Sequence, residues 1–179
     1  AGMTVRIANC LCQVGEPLGF GSFGTVWAAE VVEGAGGRGR EVAIKEILCR
    51  SHQQRASAAY EARLLEKLHS RMGSSMLGMF SAGAGAADLE GRIPSFVATE
   101  TSAAGPEVMR VQLVMTRVPG SSLDLFLERP GGSAANVDLP VLPGGFAEAC
   151  RYGRELILQL APTLELVSTF AYHRDVNSH

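Results

Sequence analysis

Two groups of residues in this sequence could act together on a phosphate-bearing ligand. Glycines recur at Gly19, Gly21 and Gly24. Lys45 ends the segment Val-Ala-Ile-Lys, and Glu61 follows it within a helical pattern. Glycine has no Cβ, so the backbone N–H groups of a glycine-rich turn can approach phosphate oxygens closely. Because a lysine ammonium can hold the same oxygens and a carboxylate can hold that ammonium in place, these residues predict a site for nucleotide phosphates.

A glycine triplet with this spacing occurs in two unrelated nucleotide-binding designs. In a dinucleotide-binding unit the last glycine opens a helix, whose N-terminus holds the pyrophosphate. Here Gly24 is followed by Thr25, Val26 and Trp27, which are β-branched or aromatic and favour a strand. The sequence therefore favours a β-hairpin whose glycine turn covers the phosphates. A dinucleotide-dependent enzyme is the less favoured alternative.

Strands are predicted over most of the first part of the chain. Extended segments surround the glycines, and alternating apolar residues predict further strands; the ranges are 11–33, 41–48, 95–99 and 108–118. Residues 83–92 and 101–106 are rich in glycine and alanine and are predicted to form loops. The segment 130–145 is rich in proline and glycine and is also predicted to be a loop.

Helices are predicted in two main places. The first covers residues 57–69 and ends near Gly73, with an apolar stripe formed by Tyr60, Leu64, Leu65 and Leu68. The second covers residues 146–167, where Pro162 predicts a kink or a break. A short helix is predicted over 122–127. Because strands dominate before helices and do not alternate with them, the sequence predicts an α+β fold.

Composition and charge restrict the class of protein. The 179 residues are 46% hydrophobic and 19% charged, which is typical of a globular chain. The formal net charge of −2 gives no basic excess, so nucleic acid is not expected as a partner. The apolar stretches 109–118 and 156–166 are too short to span a bilayer, and no signal-peptide pattern is visible. We expect no membrane segment and, by default, a cytoplasmic location.

The cysteines do not form a metal-binding pattern. Cys10 and Cys12 make a single Cys-x-Cys, and Cys49 and Cys150 are isolated. A zinc site normally needs a second pair at suitable spacing. We therefore expect reduced thiols and no metal ligands in the sequence.

A third candidate group follows the second helix. His173, Arg174 and Asp175 lie there, and a carboxylate on such a loop can accept the proton of a substrate hydroxyl. The glycine segment, Val-Ala-Ile-Lys, Glu61 and His-Arg-Asp occur in the order typical of the eukaryotic protein kinase catalytic domain. The chain resembles that family from about residue 14 to residue 179.

The resemblance implies an overall organisation. Residues 1–116 would form an N-terminal lobe, an antiparallel β-sheet with its helix C, and residues 117–179 the hinge and the first helices of an incomplete, mainly helical C-lobe. The glycines would cover the phosphates of ATP, and Val26 and Ala43 would pack on the adenine. Lys45 would contact the α and β phosphates and pair with Glu61.

The segment 113–120 is similar to the hinge of the family, which connects the two lobes. In that comparison Met115 is the gatekeeper residue. The Thr116 carbonyl, together with the Val118 N–H and carbonyl, would bind adenine. Ser122 would lie near the ribose.

The end of the chain both resembles the family and departs from it. The resemblance implies that Asp175 is the catalytic base and that Arg174 links it to a phosphorylated activation loop. Serine/threonine kinases usually have a lysine two positions after the base, where this sequence has Asn177. Tyrosine kinases usually have an arginine four positions after it, where this sequence has His179.

The implied function is an ATP-dependent protein kinase acting on a serine or threonine hydroxyl of a protein substrate. The alternative is a pseudokinase, an ATP-binding or allosteric scaffold. Retention of Lys45, Glu61 and Asp175 argues against the alternative, and Asn177 favours it because asparagine brings no charge to the γ-phosphate. Neither the protein substrate nor the oligomeric state is predicted from the sequence.

Phosphoryl transfer is expected to be absent in the 179-residue chain by itself. In the family, the residues that bind Mg²⁺ lie beyond the position of His179, and Mg²⁺ neutralises charge during transfer. Incubation of the chain with Mg·ATP and a generic protein substrate is expected to leave the substrate unphosphorylated. Phosphorylation that depends on the chain would contradict this.

The second predicted helix carries an apolar stripe that is expected to pack on later helices. The stripe consists of Leu156, Leu160, Leu164 and Val167.

Overall fold

The computed structural model describes residues 2–21, 24–75, 93–120 and 143–168. The chain divides into two compact units, Ala1–Val118 and Pro119–His179. The fold is α+β, with a six-stranded antiparallel sheet and two helices in the described residues. The elements are β1 Thr4–Ile7, β2 Cys10–Gly21, β3 Gly24–Gly34, β4 Glu41–Cys49, α1 His52–Ser75, β5 Phe96–Gly105, β6 Val108–Thr116 and α2 Pro143–Ser168.

The sheet has the strand order β1-β2-β3-β4-β6-β5, and all neighbouring strands are antiparallel. Strands β1 to β4 are neighbours in the sheet in the same order as in the sequence. After β4 the chain forms α1, and the next neighbour of β4 in the sheet is β6, with β5 at the edge. The two edge strands β1 and β5 approach each other: just after β1, the Ala8 N–H donates a hydrogen bond to the carboxylate of Glu100 on β5. The sheet is therefore curled.

The main hydrophobic core lies on the concave face of the curled sheet. Ile44 and Val114 are almost completely buried there on neighbouring strands, and each large aliphatic side chain buried in this way contributes about 1.5–3 kcal/mol. The cluster also includes Ile7 from β1 and Ala98 from β5, which connects the two edges. Its buried members are Ile7, Cys10, Cys12, Ala29, Val31, Val42, Ile44, Ala98 and Val114.

Helix α1 covers the opposite face of the sheet. Between residues 52 and 70 its buried residues are Ala58, Ala62, Leu65 and Leu68, at helical spacing. The two alanines allow the helix backbone to approach β4 and β6 closely. Tyr60 is 57% exposed, so the prediction that it belongs to the buried stripe is wrong. The buried face is centred on the alanines, which are less conspicuous in the sequence than the tyrosine.

Helix α1 is longer than predicted at both ends. Ser51 Oγ accepts a hydrogen bond from the Gln54 N–H at 3.2 Å, and Gln54 Oε1 accepts one from the Arg50 N–H at 2.7 Å. This reciprocal capping arrangement fixes the start of the helix at His52. The helix also continues through Gly73 to Ser75, so the predicted end at Gly73 is wrong.

The predicted strands are confirmed with changed boundaries. Strand β5 extends to Gly105, so the predicted loop over 101–106 is wrong for most of its length. Pairing with β6 along the whole of β5 overrides the weak strand propensity of its alanines and glycine. Strand β1 is not predicted from the sequence because four residues are too few for a clear alternation.

The four cysteines, Cys10, Cys12, Cys49 and Cys150, are free thiols in this structure. Cys10 and Cys12 are two residues apart on β2, so both side chains lie on the same buried face. Their Sγ atoms are 3.4 Å apart. Burial, together with the hydrogen bond and charge of Cys10, raises the pKa of the Cys12 thiol to about 12. Cys12 therefore stays protonated at neutral pH and acts as a small core residue.

In the second unit, the described secondary-structure element is the helix α2. The predicted long helix is confirmed, and it continues through Pro162, so the predicted break does not occur. The predicted loop over 130–145 is helical from Pro143 onward. In the stripe, Leu156, Leu160 and Leu164 are exposed. The predicted loop 83–92 and short helix 122–127 lie outside the described residues.

Neither helix in the described part of the chain combines the length and apolar character needed to cross a membrane.

Candidate functional site

Lys45 lies in the middle of the sheet, on the face that α1 covers. On β4 it is directly opposite Val26 of β3 and Leu113 of β6. Directly opposite residues of antiparallel strands share a face, as do residues two apart on one strand. Leu113 packs against α1 on this face. The same face therefore carries Val26, Ala43 and Lys45.

An ion pair connects this face to α1. Lys45 Nζ and Glu61 Oε1 are 2.6 Å apart, with the two side chains 18% and 41% exposed. Glu61 lies beside Ala58 and Ala62, so the packing of α1 on the sheet fixes the position of its carboxylate. The carboxylate holds the ammonium in one direction, and the distance is that of a charge-assisted hydrogen bond.

The glycine hairpin connects β2 and β3, and β3 is the neighbour of β4, the strand that carries Lys45. Gly19 is opposite Val26, and Gly21 is opposite Gly24, while residues 22 and 23 lie outside the described residues. Gly24 has a φ of 124°, and a Cβ there would overlap the carbonyl oxygen of Glu46 on β4. The fold itself therefore requires glycine at position 24.

Gly19 differs from Gly24 in what surrounds it. A Cβ built on Gly19 would meet no described protein atom within 4 Å. Packing among the described residues therefore gives no reason for glycine at position 19. The open space above the strand is a place where a ligand can approach the backbone closely.

The residues predicted to hold adenine also lie on the Lys45 face. Ala43 is buried and is opposite Ala28 on β3 and Met115 on β6. Met115 is partly buried and packs on the cluster that includes Leu65 of α1. The structure thus brings Val26, Ala43, Lys45 and Met115 onto one face, with Glu61 above it.

The end of β6 is fixed by hydrogen bonds on both sides. The Thr116 N–H donates to the Ser95 carbonyl at 2.9 Å, and the Ser95 N–H donates to Thr116 Oγ1 at 2.8 Å. The Arg117 N–H lies 3.5 Å from the Glu41 carbonyl. Val118 is exposed. Sequence reasoning missed Ser95, and no pattern in its neighbourhood singles it out.

A second polar group lies on the other face of β4 and β6. Gln112 Nε2 donates to Glu46 Oε2 at 3.2 Å, and Arg110 Nε lies 3.3 Å from the same oxygen. The Arg110 N–H is not aimed at that oxygen, so this contact is an ion pair without a hydrogen bond. Sequence reasoning did not anticipate this group, which lies away from Lys45 because strand residues alternate between faces.

Three predicted site residues, Ser122, Arg174 and Asp175, lie outside the described residues. Their positions relative to Lys45 are therefore not part of the site as described. Within the described ranges, no group of three or more His, Cys, Asp and Glu side chains is arranged to hold a metal ion.

Comparison with known proteins adds no family assignment. No protein-family model matches the chain, and no curated protein matches it at a significant level. The function is therefore inferred from the residues of the site.

Proposed function

We propose that this chain is the nucleotide-binding part of an ATP-dependent protein kinase that phosphorylates serine or threonine. The observation that carries the proposal is the 2.6 Å ion pair between Lys45 Nζ and Glu61 Oε1. Counted from the glycine hairpin, Lys45 lies on the third strand and Glu61 on the next helix. Protein kinases use a lysine–glutamate pair in this topology to hold the α and β phosphates of ATP.

The glycine hairpin supports a phosphate ligand. The open space at Gly19 allows phosphate oxygens to approach the backbone of β2, and Gly24 keeps β3 close to β4. Strand β3 places Val26 directly opposite Lys45. Phosphates under the hairpin would therefore meet both backbone N–H groups and the lysine ammonium.

Adenine would contact the apolar part of the same face. Ala43 presents only a methyl group there, and Val26 and Met115 would supply further apolar contacts. The main chain at the end of β6 supplies hydrogen bonds, with the Thr116 carbonyl as an acceptor. Apolar walls with a few polar groups at one edge are typical of a nucleotide-base site.

The transfer step is assigned from the sequence. Asp175 would accept the proton of the substrate hydroxyl, and Arg174 would connect it to a phosphorylated activation loop. Mg²⁺ would neutralise charge on the phosphates when bound. A pseudokinase is the second candidate, because Asn177 replaces the usual lysine near the γ-phosphate.

Nucleotide binding by the 179-residue chain tests the proposal. Calorimetric titration is expected to show saturable binding of ATP, with a Kd in the micromolar to millimolar range of about 1 μM to 1 mM that is common for enzyme substrates. A parallel titration with NAD is expected to show none. Tighter binding of NAD would support the dinucleotide-dependent alternative, and absence of binding of both ligands would contradict the proposal.

A further inference from the structure

Helix α1 packs on the sheet through two separate clusters of buried side chains. One cluster includes Ala58 of the helix and Val111 of β6, and the other includes Ala62 of the helix and Leu113 of β6. Leu113 is directly opposite Lys45 on β4. Directly opposite residues have Cβ atoms about 5 Å apart, whereas Val111 is two residues further along the strand. The cluster that contains Ala62 is therefore the one next to the ion pair.

The packing of Ala62 controls the position of Glu61, because the two residues are adjacent on the helix. Ala62 is 6% exposed and Leu113 is 2% exposed. Protein interiors are packed as densely as organic crystals, so little space is left around these side chains. Lys45 Nζ and Glu61 Oε1 are 2.6 Å apart. An increase of roughly 1 Å would end their hydrogen bond.

A larger side chain at position 62 would displace the helix and not the lysine. Extra carbon atoms in a close-packed core force side chains out of their preferred rotamers and shift the backbone. Strand β4 is held by pairing with β3 on one side and β6 on the other, so the backbone of Lys45 is fixed. The side of α1 that carries Tyr60 is exposed, and the helix can move in that direction. Such a movement takes the Glu61 carboxylate away from Lys45.

We propose that Ala62 is a positioning residue, whose small side chain keeps Glu61 within hydrogen-bond distance of Lys45. For the ligand, this inference rests on the proposed function, in which the Lys45 ammonium contacts the phosphates of ATP. Adenosine has no phosphates and does not use that ammonium. The size of the side chain at position 62 therefore sets how strongly the site prefers ATP over adenosine.

The effect on Lys45 can be tested without any nucleotide. The chain has two lysines, Lys45 and Lys67. An ammonium bonded to a carboxylate reacts slowly with an amine-acylating reagent, because it must first leave that carboxylate. Mass spectrometry of the folded chain after brief acetylation gives the labelling of Lys45 relative to Lys67. In Ala62→Leu this ratio is expected to rise at least about threefold, part of the effect of one charge-assisted hydrogen bond.

Ala59→Leu is the matched control, because it makes the same change at an exposed position of the same helix. Its labelling ratio is expected to equal that of the native chain. Ala62→Val adds two carbon atoms instead of three and replaces Ala62→Leu if that variant does not fold. It is expected to change the ratio in the same direction. An unchanged ratio in a folded Ala62 variant, or an equal rise in Ala59→Leu, would overturn the positioning role.

The effect on the ligand is measured as the Kd for adenosine divided by the Kd for ATP. Ala62→Leu is expected to lower this quotient at least about threefold, and Ala59→Leu to leave it unchanged. In the Glu61→Gln background, Ala62→Leu should cause no further decrease, because residues that act through one interaction are not additive. A general loss of stability would weaken both ligands and leave the quotient unchanged. A further decrease in the Glu61→Gln background would show that Ala62 does not act through Glu61.

The outcomes separate this inference from the proposed function. ATP binding by the native chain, with labelling and quotient both unchanged in Ala62→Leu, would overturn the role of Ala62 and leave the proposed function standing. Failure of the native chain to bind ATP would overturn the proposed function and the preference set by position 62. The labelling result would then still decide whether Ala62 positions Glu61. Melting curves show which variants are folded before they are compared.

Discussion

Replacement of Lys45 by methionine is expected to weaken ATP binding by at least about tenfold while leaving adenosine binding unchanged. Methionine keeps the apolar stem of the side chain, which lies between Val26 and Leu113, and removes the ammonium that would contact the phosphates. A hydrogen bond to a charged group contributes about 1.5–3 kcal/mol, which sets the scale of the loss. Calorimetric titration of the variant with ATP and with adenosine measures it.

Lys67 provides a matched control, because it is the only other lysine of the chain and lies on an exposed part of α1. Lys67→Met is expected to leave the Kd of both ligands unchanged. Glu61→Gln should lower ATP affinity less than Lys45→Met. The glutamine holds the Lys45 ammonium less firmly, but the ammonium and its positive charge are still present. An ATP Kd unaffected by Lys45→Met, or an equal loss for ATP and adenosine, would rule out Lys45 as a phosphate ligand.

Replacement of Gly24 by alanine is expected to destabilise the first unit by about 2–4 kcal/mol. The backbone at Gly24 has a φ of 124°, which side-chain-bearing residues rarely adopt, and the added Cβ would overlap the Glu46 carbonyl. Relief of this overlap would separate β3 from β4 next to the pair formed by Thr25 and Glu46. The melting temperature, measured by far-ultraviolet circular dichroism, should fall by about 10 °C or more.

Gly19→Ala is the comparison that separates a glycine needed by the fold from one needed by a ligand. No described protein atom lies within 4 Å of the added Cβ, so the melting temperature should stay the same. The methyl group would occupy space assigned to the phosphates, and ATP affinity should fall. Equal melting temperatures for the two variants would show that the hairpin does not have the described backbone geometry.

The α+β class and most strands follow from local sequence patterns. Strands β3, β4 and β6 are long, β-branched and alternating, so their positions could be predicted within a few residues. Strand β5 contains several small residues and is stabilised by pairing with β6 rather than by its own propensity. The start of α1 depends on the capping pair Ser51 and Gln54, a short signal that apolar periodicity does not include.

The part of the candidate site that could be predicted is the part defined by residue types at fixed positions in the sequence. Lys45 and Glu61 could be named because each lies in a recognisable segment, although only the structure gives their 2.6 Å separation. The bond between Ser95 and Thr116 could not be predicted. It depends on the irregularity between Phe96 and Ala98, which shifts the register by an amount that sequence alone does not specify.

The curl that brings β1 to β5 has a consequence for association between molecules. An open sheet presents unpaired N–H and C=O groups along its two edges, and strands of other chains can add there and start aggregation. Here the two edge strands lie against each other, with Ala8 bonded to Glu100 and with Ile7 and Ala98 in one core cluster. Strand β1, with four residues, therefore covers only the part of the ten-residue β5 edge near Glu100. Loss of this contact would expose both edges of the six-stranded sheet to addition of strands from other chains.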